Sequence, residues 1–264
     1  MKETQTVGLN KSEKISLWAQ WCVFALFQIF CTVSLVIMIS RGWLSQTLIT
    51  LVSMGCLCVP WLLKLIFKVR IPLWAYIFIE VYALCPMLGH AHAFYYWISW
   101  WDTWMHFCGG VAFAMLGGFL LHLFNGKSGK CNLFVTVCFA IFFSVTVSVA
   151  WEFIEYAADS WFHTDMQKDV FVDGLYSYFL TDGSYVGSME NIQSVQINGV
   201  EMKGYFDIGL IDTMTDMIFE TIGALLYGAL VLVVGSKALA IQPRILQKET
   251  TPQTEPSEEQ AKNI

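Results

Sequence analysis

Charge is what this chain has least of. Only 14% of its 264 residues are Asp, Glu, Lys or Arg, against roughly 25% in an ordinary soluble domain. Hydrophobic residues make up 56%, and the mean hydropathy is +0.56. So little charge excludes a soluble globular chain of this length, because the excess apolar surface must face lipid. No C-x-x-C occurs, and Cys56 and Cys58 form only C-x-C. The eight cysteines lie within or at the ends of apolar segments, which excludes a disulfide framework or zinc ribbon and leaves buried thiols. H-E-x-x-H, G-x-S-x-G, a P-loop and a dinucleotide fingerprint are also missing, and "GSYVGS" at 183–188 lacks the helical context of a serine nucleophile. No stretch is basic enough for nucleic acid, which is not an expected partner.

Long apolar runs are what the chain has instead. A segment needs roughly 20 apolar residues to cross a hydrocarbon core. The sequence predicts six spans, at about 15–40, 47–66, 72–89, 102–124, 131–157 and 212–235. Glu80 interrupts the third, and Pro86 is positioned to kink it. The first run exceeds the roughly 7–15 residues of a signal-peptide core and no A-x-A pattern follows, so it reads as an uncleaved span. Twelve of the fifteen basic residues fall on one side of these spans, among them Lys11, Lys14, Lys64, Lys68, Arg70 and Lys130. The positive-inside rule then gives N-in, C-in. Every tryptophan falls near a span end, as an aromatic belt requires. The predicted fold class is an all-α integral membrane protein. A cytoplasmic tail covers 1–14, spans one to five cover 15–157, an outer loop domain covers 158–211, span six covers 212–235, and a polar, disordered cytoplasmic tail covers 236–264. "SVQINGVEM" predicts a tight hairpin around Asn198-Gly199. The sequon at Asn10-Lys11-Ser12 would lie inside and is read as chance.

Once oriented, the ionisable residues form one layer. Asp102 and His106 open the fourth span, one turn apart on one face. Ser144, Ser148, Glu152, Glu155 and Asp159 make a polar stripe on the fifth, and Asp212, Asp216 and Glu220 open the sixth at i, i+4, i+8. Gly109, Gly110, Gly117, Gly118 and Gly223 would let these helices approach closely. Five acids (Asp102, Glu152, Glu155, Asp212, Asp216) meet one histidine, with no Lys or Arg in the motifs, so some acids must be protonated or a cation bound. The donor set suits a divalent ion, Mg, Mn, Ca, Zn or Fe(II), with zinc usually drawing more His or Cys. Asp102 and Asp212 also fit plain helix caps. His106, Asp216 and the two glutamates do not. Glu80 reads as part of a proton path, as paired with a neighbour, or as a buried protonated acid. His90 and His92 read as a ligand pair or, more simply, as exposed loop residues. His163, Asp165 and Asp169 are candidates for the rim, and His122 lies at the far end of its helix.

At "WWDTWMHFCGG", "AWEFIEY" and "IDTMTDMIFETIGALL" the chain resembles the YjdF-like bacterial multi-pass membrane proteins. It is more distantly similar to VanZ-like proteins, which are associated with teicoplanin resistance. Asp102 and His106 match their D-x-x-x-H element, Glu152 and Glu155 their acidic helix, and Asp216 with Gly223 the third element, where Glu220 replaces an asparagine. These resemblances imply a plasma-membrane location but supply no reaction. The site suggests a metal-assisted enzyme on lipid head groups or lipid-linked envelope intermediates. Asp102, His106, Asp212 and Asp216 would hold the ion, and Glu152 or Glu155 would be the general base. A cation- or proton-coupled transporter and a structural scaffold are the alternatives.

Overall fold

The computed structural model describes residues 11–125 and 132–235 and the backbone of 242–243. The sequon's Asn10, most of the N-terminal tail, the 126–131 connection and nearly all of the C-terminal tail lie outside the described residues. Six helical segments are long and apolar enough to cross a membrane, as the sequence predicts. They are α1 (Lys11–Ser40), the pair α2 (Leu44–Cys56) and α3 (Val59–Phe67), α4 (Leu73–Ala91), α6 (Trp101–Asn125), α7 (Leu133–Phe162) and α8 (Leu210–Val234), with a short α5 (Phe94–Trp97) between α4 and α6.

Local chemistry sets the ends. Gly42 has φ +70°, its N–H donates to the Ile39 carbonyl at 3.0 Å, and the Trp43 N–H donates to Met38 at 3.0 Å. That is a Schellman stop, in which a left-handed glycine lets two orphan carbonyls be satisfied. The second span, expected to be continuous, breaks at Leu57-Cys58. Pro60, at the start of α3, has no N–H to give and its ring would meet the Cys56 carbonyl, so the ladder shifts to shorter bonds such as Cys58 N–H to Gly55 at 3.0 Å. By contrast α4 runs through Pro86.

Two compact units emerge. One comprises the described parts of Met1–Trp97, Met115–Phe139 and Leu230–Ile264, and in it α1, α2 and α4 pack together. Its core includes Cys31, Leu57, Leu84 and Met87. The strand β1 (Val69–Arg70) pairs antiparallel with Gln242–Pro243. Gln20 bridges Lys64 and the Ile71 carbonyl, and Lys64 lies over the Trp61 and Tyr76 rings. Glu80 is fully buried beside Tyr76 and Lys64. His92 is not a free loop residue: it caps α4, stacks on Phe30 and meets Ser34 Oγ at 3.1 Å. Burial holds its ring below the usual histidine range, so the neutral imidazole shares a proton with the hydroxyl. His90 packs edge-on against Tyr95 instead.

The second unit comprises Ile98–Ala114 and Ala140–Ala229. Between α7 and α8 lie six short strands, β2 (Val170–Val172), β3 (Leu175–Ser177), β4 (Gly187–Met189), β5 (Val195–Ile197), β6 (Val200–Met202) and β7 (Tyr205–Asp207). The first and last pair antiparallel and close the insert at its base, with Phe171 opposite Phe206 and their rings edge to face at 4.9 Å. The expected hairpin is present as β5–β6. Asn198 and Gly199 both have positive φ, 51° and 84°, as a two-residue type I′ turn requires.

Burial in this unit is inverted relative to a soluble protein. On α7, Ser144, Ser148, Glu152 and Glu155 are buried while Phe142, Phe153 and Ile154 are exposed. On α8, Asp216 and Glu220 are buried while Ile218, Leu225 and Leu226 are exposed. An apolar exterior around a polar interior is what a lipid solvent selects.

Candidate metal centre

Helix α6 brings Asp102 and His106 to one face, and α8 meets that face through glycine. A Cβ on Gly110 would run into the Glu220 carbonyl and the Ala224 nitrogen, and one on Gly223 into the Phe107 carbonyl. The two glycines thus let the backbones touch, as the sequence anticipates for small residues. Helix α7 joins through Ser144, whose hydroxyl donates to the Gly110 carbonyl at 3.0 Å.

This close packing puts the α8 acids around the imidazole. His106 Nε2 lies 3.3 Å from Asp216 Oδ2, and Nδ1 lies 3.7 Å from Glu220 Oε2. Donor atoms of Asp102, His106 and Asp216 all fall within 4.8 Å of one another. Two carboxylate oxygens and an imidazole nitrogen in that space could hold a divalent ion. The buried oxygens around them are under-satisfied. Asp216 Oδ2 has only the His106 ion pair, Glu220 Oε1 meets no hydrogen-bond donor among the described residues, and Glu152 has only the Thr213 hydroxyl nearby. A buried carboxylate with too few partners is costly, and an ion would supply what these oxygens lack.

A family described as "Predicted membrane protein (DUF2238)" matches residues 22–237. The chain belongs to that family. The match carries membrane residence and not the narrower YjdF-like or VanZ-like likeness. No curated protein and no solved structure matches the chain.

The remaining members of the layer have different partners. Asp212 sits outside the three-donor group and accepts the Lys168 N–H at 3.0 Å. The first-turn N–H of Ile211 is taken by Asp207 at 2.8 Å, so α8 has a partner for that donor other than Asp212. Glu155 accepts from Trp151 Nε1 at 2.7 Å. Thr213 lies beside Glu152 and receives a hydrogen bond from Gln167 at 2.5 Å, which leaves its own proton to point elsewhere. Asp159, at the far end of the stripe, binds the chain beyond α7: Thr164 Oγ1 at 2.6 Å and the Met166 and Gln167 N–H groups at 2.7 Å. Of the three rim candidates, His163, Asp165 and Asp169 are all exposed.

Sequence reading missed Lys168. The motifs contain no cation, yet the Lys168 ammonium forms an ion pair with Asp102 across 66 positions of sequence. No local signal marks it, because the residue lies in the loop insert and reaches the site only after Asp159 and Asp212 dock the backbone. Glu220, left without a role by its mismatch to an asparagine, becomes the second partner of His106.

Burial alone would lower the Lys168 pKa, but Asp102 first, then Asp212 and Asp216, outweigh it and hold the amine above its ordinary value. Because the folded value is the raised one, the stability that the Lys168–Asp102 pair contributes is complete below about pH 10.4, the usual lysine value, and is lost as pH rises through the folded value. The Tm advantage of metal-free wild type over Lys168→Met is therefore expected to persist to about pH 10 and to fade only above the ordinary lysine range. An advantage that fades between about pH 7 and 9 would contradict the raised value.

Proposed function

We propose that this is a multi-pass protein of the bacterial plasma membrane, N-in and C-in, whose second unit carries a divalent-metal site and acts on lipid head groups or lipid-linked envelope intermediates. The antiparallel pairing of Val69–Arg70 with Gln242–Pro243 supports the topology, since it sets the chain after α8 beside the α3–α4 junction, on the side that basic residues mark as cytoplasmic. The loop insert is then extracytoplasmic. The observation that carries the reading is the group Asp102, His106 and Asp216 with donors within 4.8 Å, set among buried carboxylates with too few donors for their oxygens.

A bound divalent ion would acidify a water or substrate hydroxyl and stabilise developing negative charge. Asp102, His106 and Asp216 hold the ion, and Asp212 aligns the adjoining backbone. Glu155 is the better placed general base of the two glutamates: Trp151 fixes one oxygen, and His106 and Asp102 lie within electrostatic reach of its carboxylate. It would take the proton of the attacking hydroxyl. Glu152 is buried beside Thr213 and within electrostatic reach of His106, and belongs to the same acidic layer.

The test is product detection in vesicles of total bacterial lipid supplied with manganese. Wild-type protein is expected to generate a metal-dependent change in the lipid or lipid-linked pool, seen by mass spectrometry. Glu155→Gln should reduce its rate about a hundredfold or more, in line with loss of a general base, while retaining bound metal. A protein that binds metal but alters no lipid species contradicts the enzyme reading. Fully buried Glu80 favours ion-coupled transport as the second reading. Cation or proton flux into vesicles that Glu80→Gln abolishes would establish it.

A further inference from the structure

The ammonium of Lys168 occupies a carboxylate that the metal site also needs. Asp102 is one of the three donors, and its Oδ2 is the atom paired with Lys168. A dication held by Asp102, His106 and Asp216 would sit next to that ammonium, and like charges a few ångströms apart in a half-buried site repel strongly. Two cations on one carboxylate weaken each other's hold on it. We propose that Lys168 is a tethered competitor: it fills the cation site of the resting protein and withdraws when a divalent ion binds. This rests on the metal reading above and adds its regulation.

The way the strap around Lys168 is held makes such a withdrawal feasible. Its backbone is anchored without the ammonium, through the Lys168 N–H on Asp212, the Met166 and Gln167 N–H groups on Asp159, and the Gln167 side chain on Thr213. At its other face Gly209, with φ +79°, leaves room that a Cβ would deny to Gln167. The strap can stay docked while the four-carbon side chain swings, since a lysine is a point charge on a flexible stem. Lys168 is only half-buried, so its head has solvent to swing into. The charge balance gives the device its purpose. Asp102, Glu152, Glu155, Asp212, Asp216 and Glu220 surround His106 and Lys168, and an empty site without Lys168 would leave the acids still less compensated.

The experiment titrates manganese alone into full-length protein in detergent, reading free ion by its paramagnetic resonance. Lys168→Met should bind manganese about tenfold or more tighter than wild type, and Lys168→Arg, which restores the charge, should lie near wild type. If Lys168→Met binds no tighter while wild type binds well, the competitor is overturned and the metal site stands. If no variant binds, the metal reading itself fails and takes the competitor with it. A second measurement needs no variant. An amine-reactive ester should label Lys168 more slowly than the exposed Lys203 of the same insert, and saturating manganese should accelerate Lys168 alone. Labelling that manganese leaves unchanged overturns the proposal even where the ion binds.

Discussion

Replacing Asp216 with alanine is expected to abolish the response of the protein to divalent metal. A ligand that saturates the folded state at a hundredfold excess over its Kd adds about 2.7 kcal/mol of stability, which in wild type should appear as a rise of several degrees in Tm. Asp216→Ala removes one of three donors, and affinity should fall about a hundredfold or more, beyond what loss of an outer-shell partner alone costs. The sign of the effect on the metal-free protein separates a functional acid from a structural one. Were Asp216 present to neutralise His106, its loss would strand a buried charge and cost about 3–5 kcal/mol. Here Glu220 still faces His106 Nδ1, and removing one of several crowded acids relieves repulsion. The metal-free variant should therefore melt within a few degrees of wild type or slightly above it. A large loss of stability without metal, with the metal response intact, would make Asp216 a structural counter-charge.

Gly110→Val is expected to be the most damaging substitution in the second unit. The added side chain meets backbone, the Glu220 carbonyl and the Ala224 nitrogen, and backbone cannot rotate away as a side chain can. Overpacking into a site that cannot give costs about 3 kcal/mol or more. Forcing α6 and α8 apart also separates Asp102 and His106 from Asp216, so metal affinity should fall with stability. Gly55→Ala serves as the control. It lies in α2, nothing stands within 4 Å of its Cβ position, and alanine is the better helix former by about 1 kcal/mol. Size-exclusion profiles of heated detergent samples would show the contrast. Equal melting of Gly110→Val and Gly55→Ala would contradict the close contact of α6 and α8.

Much of this was legible because lipid imposes simple rules. The six spans follow from run length, their ends from the tryptophans and the basic clusters, and the hairpin from Asn198-Gly199. The polar stripe of α7 was readable from spacing, since burial of Ser144, Ser148, Glu152 and Glu155 follows one helical face. The break between α2 and α3 had its cause in plain sight in Pro60, but an apolar run shows no gap when one helix resumes within two residues. Lys168 was not legible. Its pairing with Asp102 depends on how a loop folds back through Asp159 and Asp212, contacts that no periodicity encodes. His92 was misleading for a related reason: an H-x-H in a loop looks exposed until α1 supplies Ser34 and Phe30.

Pulsed paramagnetic resonance of the purified protein with one equivalent of manganese tests the central claim most directly. One ion per chain with magnetic coupling to a single imidazole nitrogen is the predicted result, because His106 is the one histidine in the three-donor group. Manganese that remains free, or that binds with no nitrogen coupling, would contradict it.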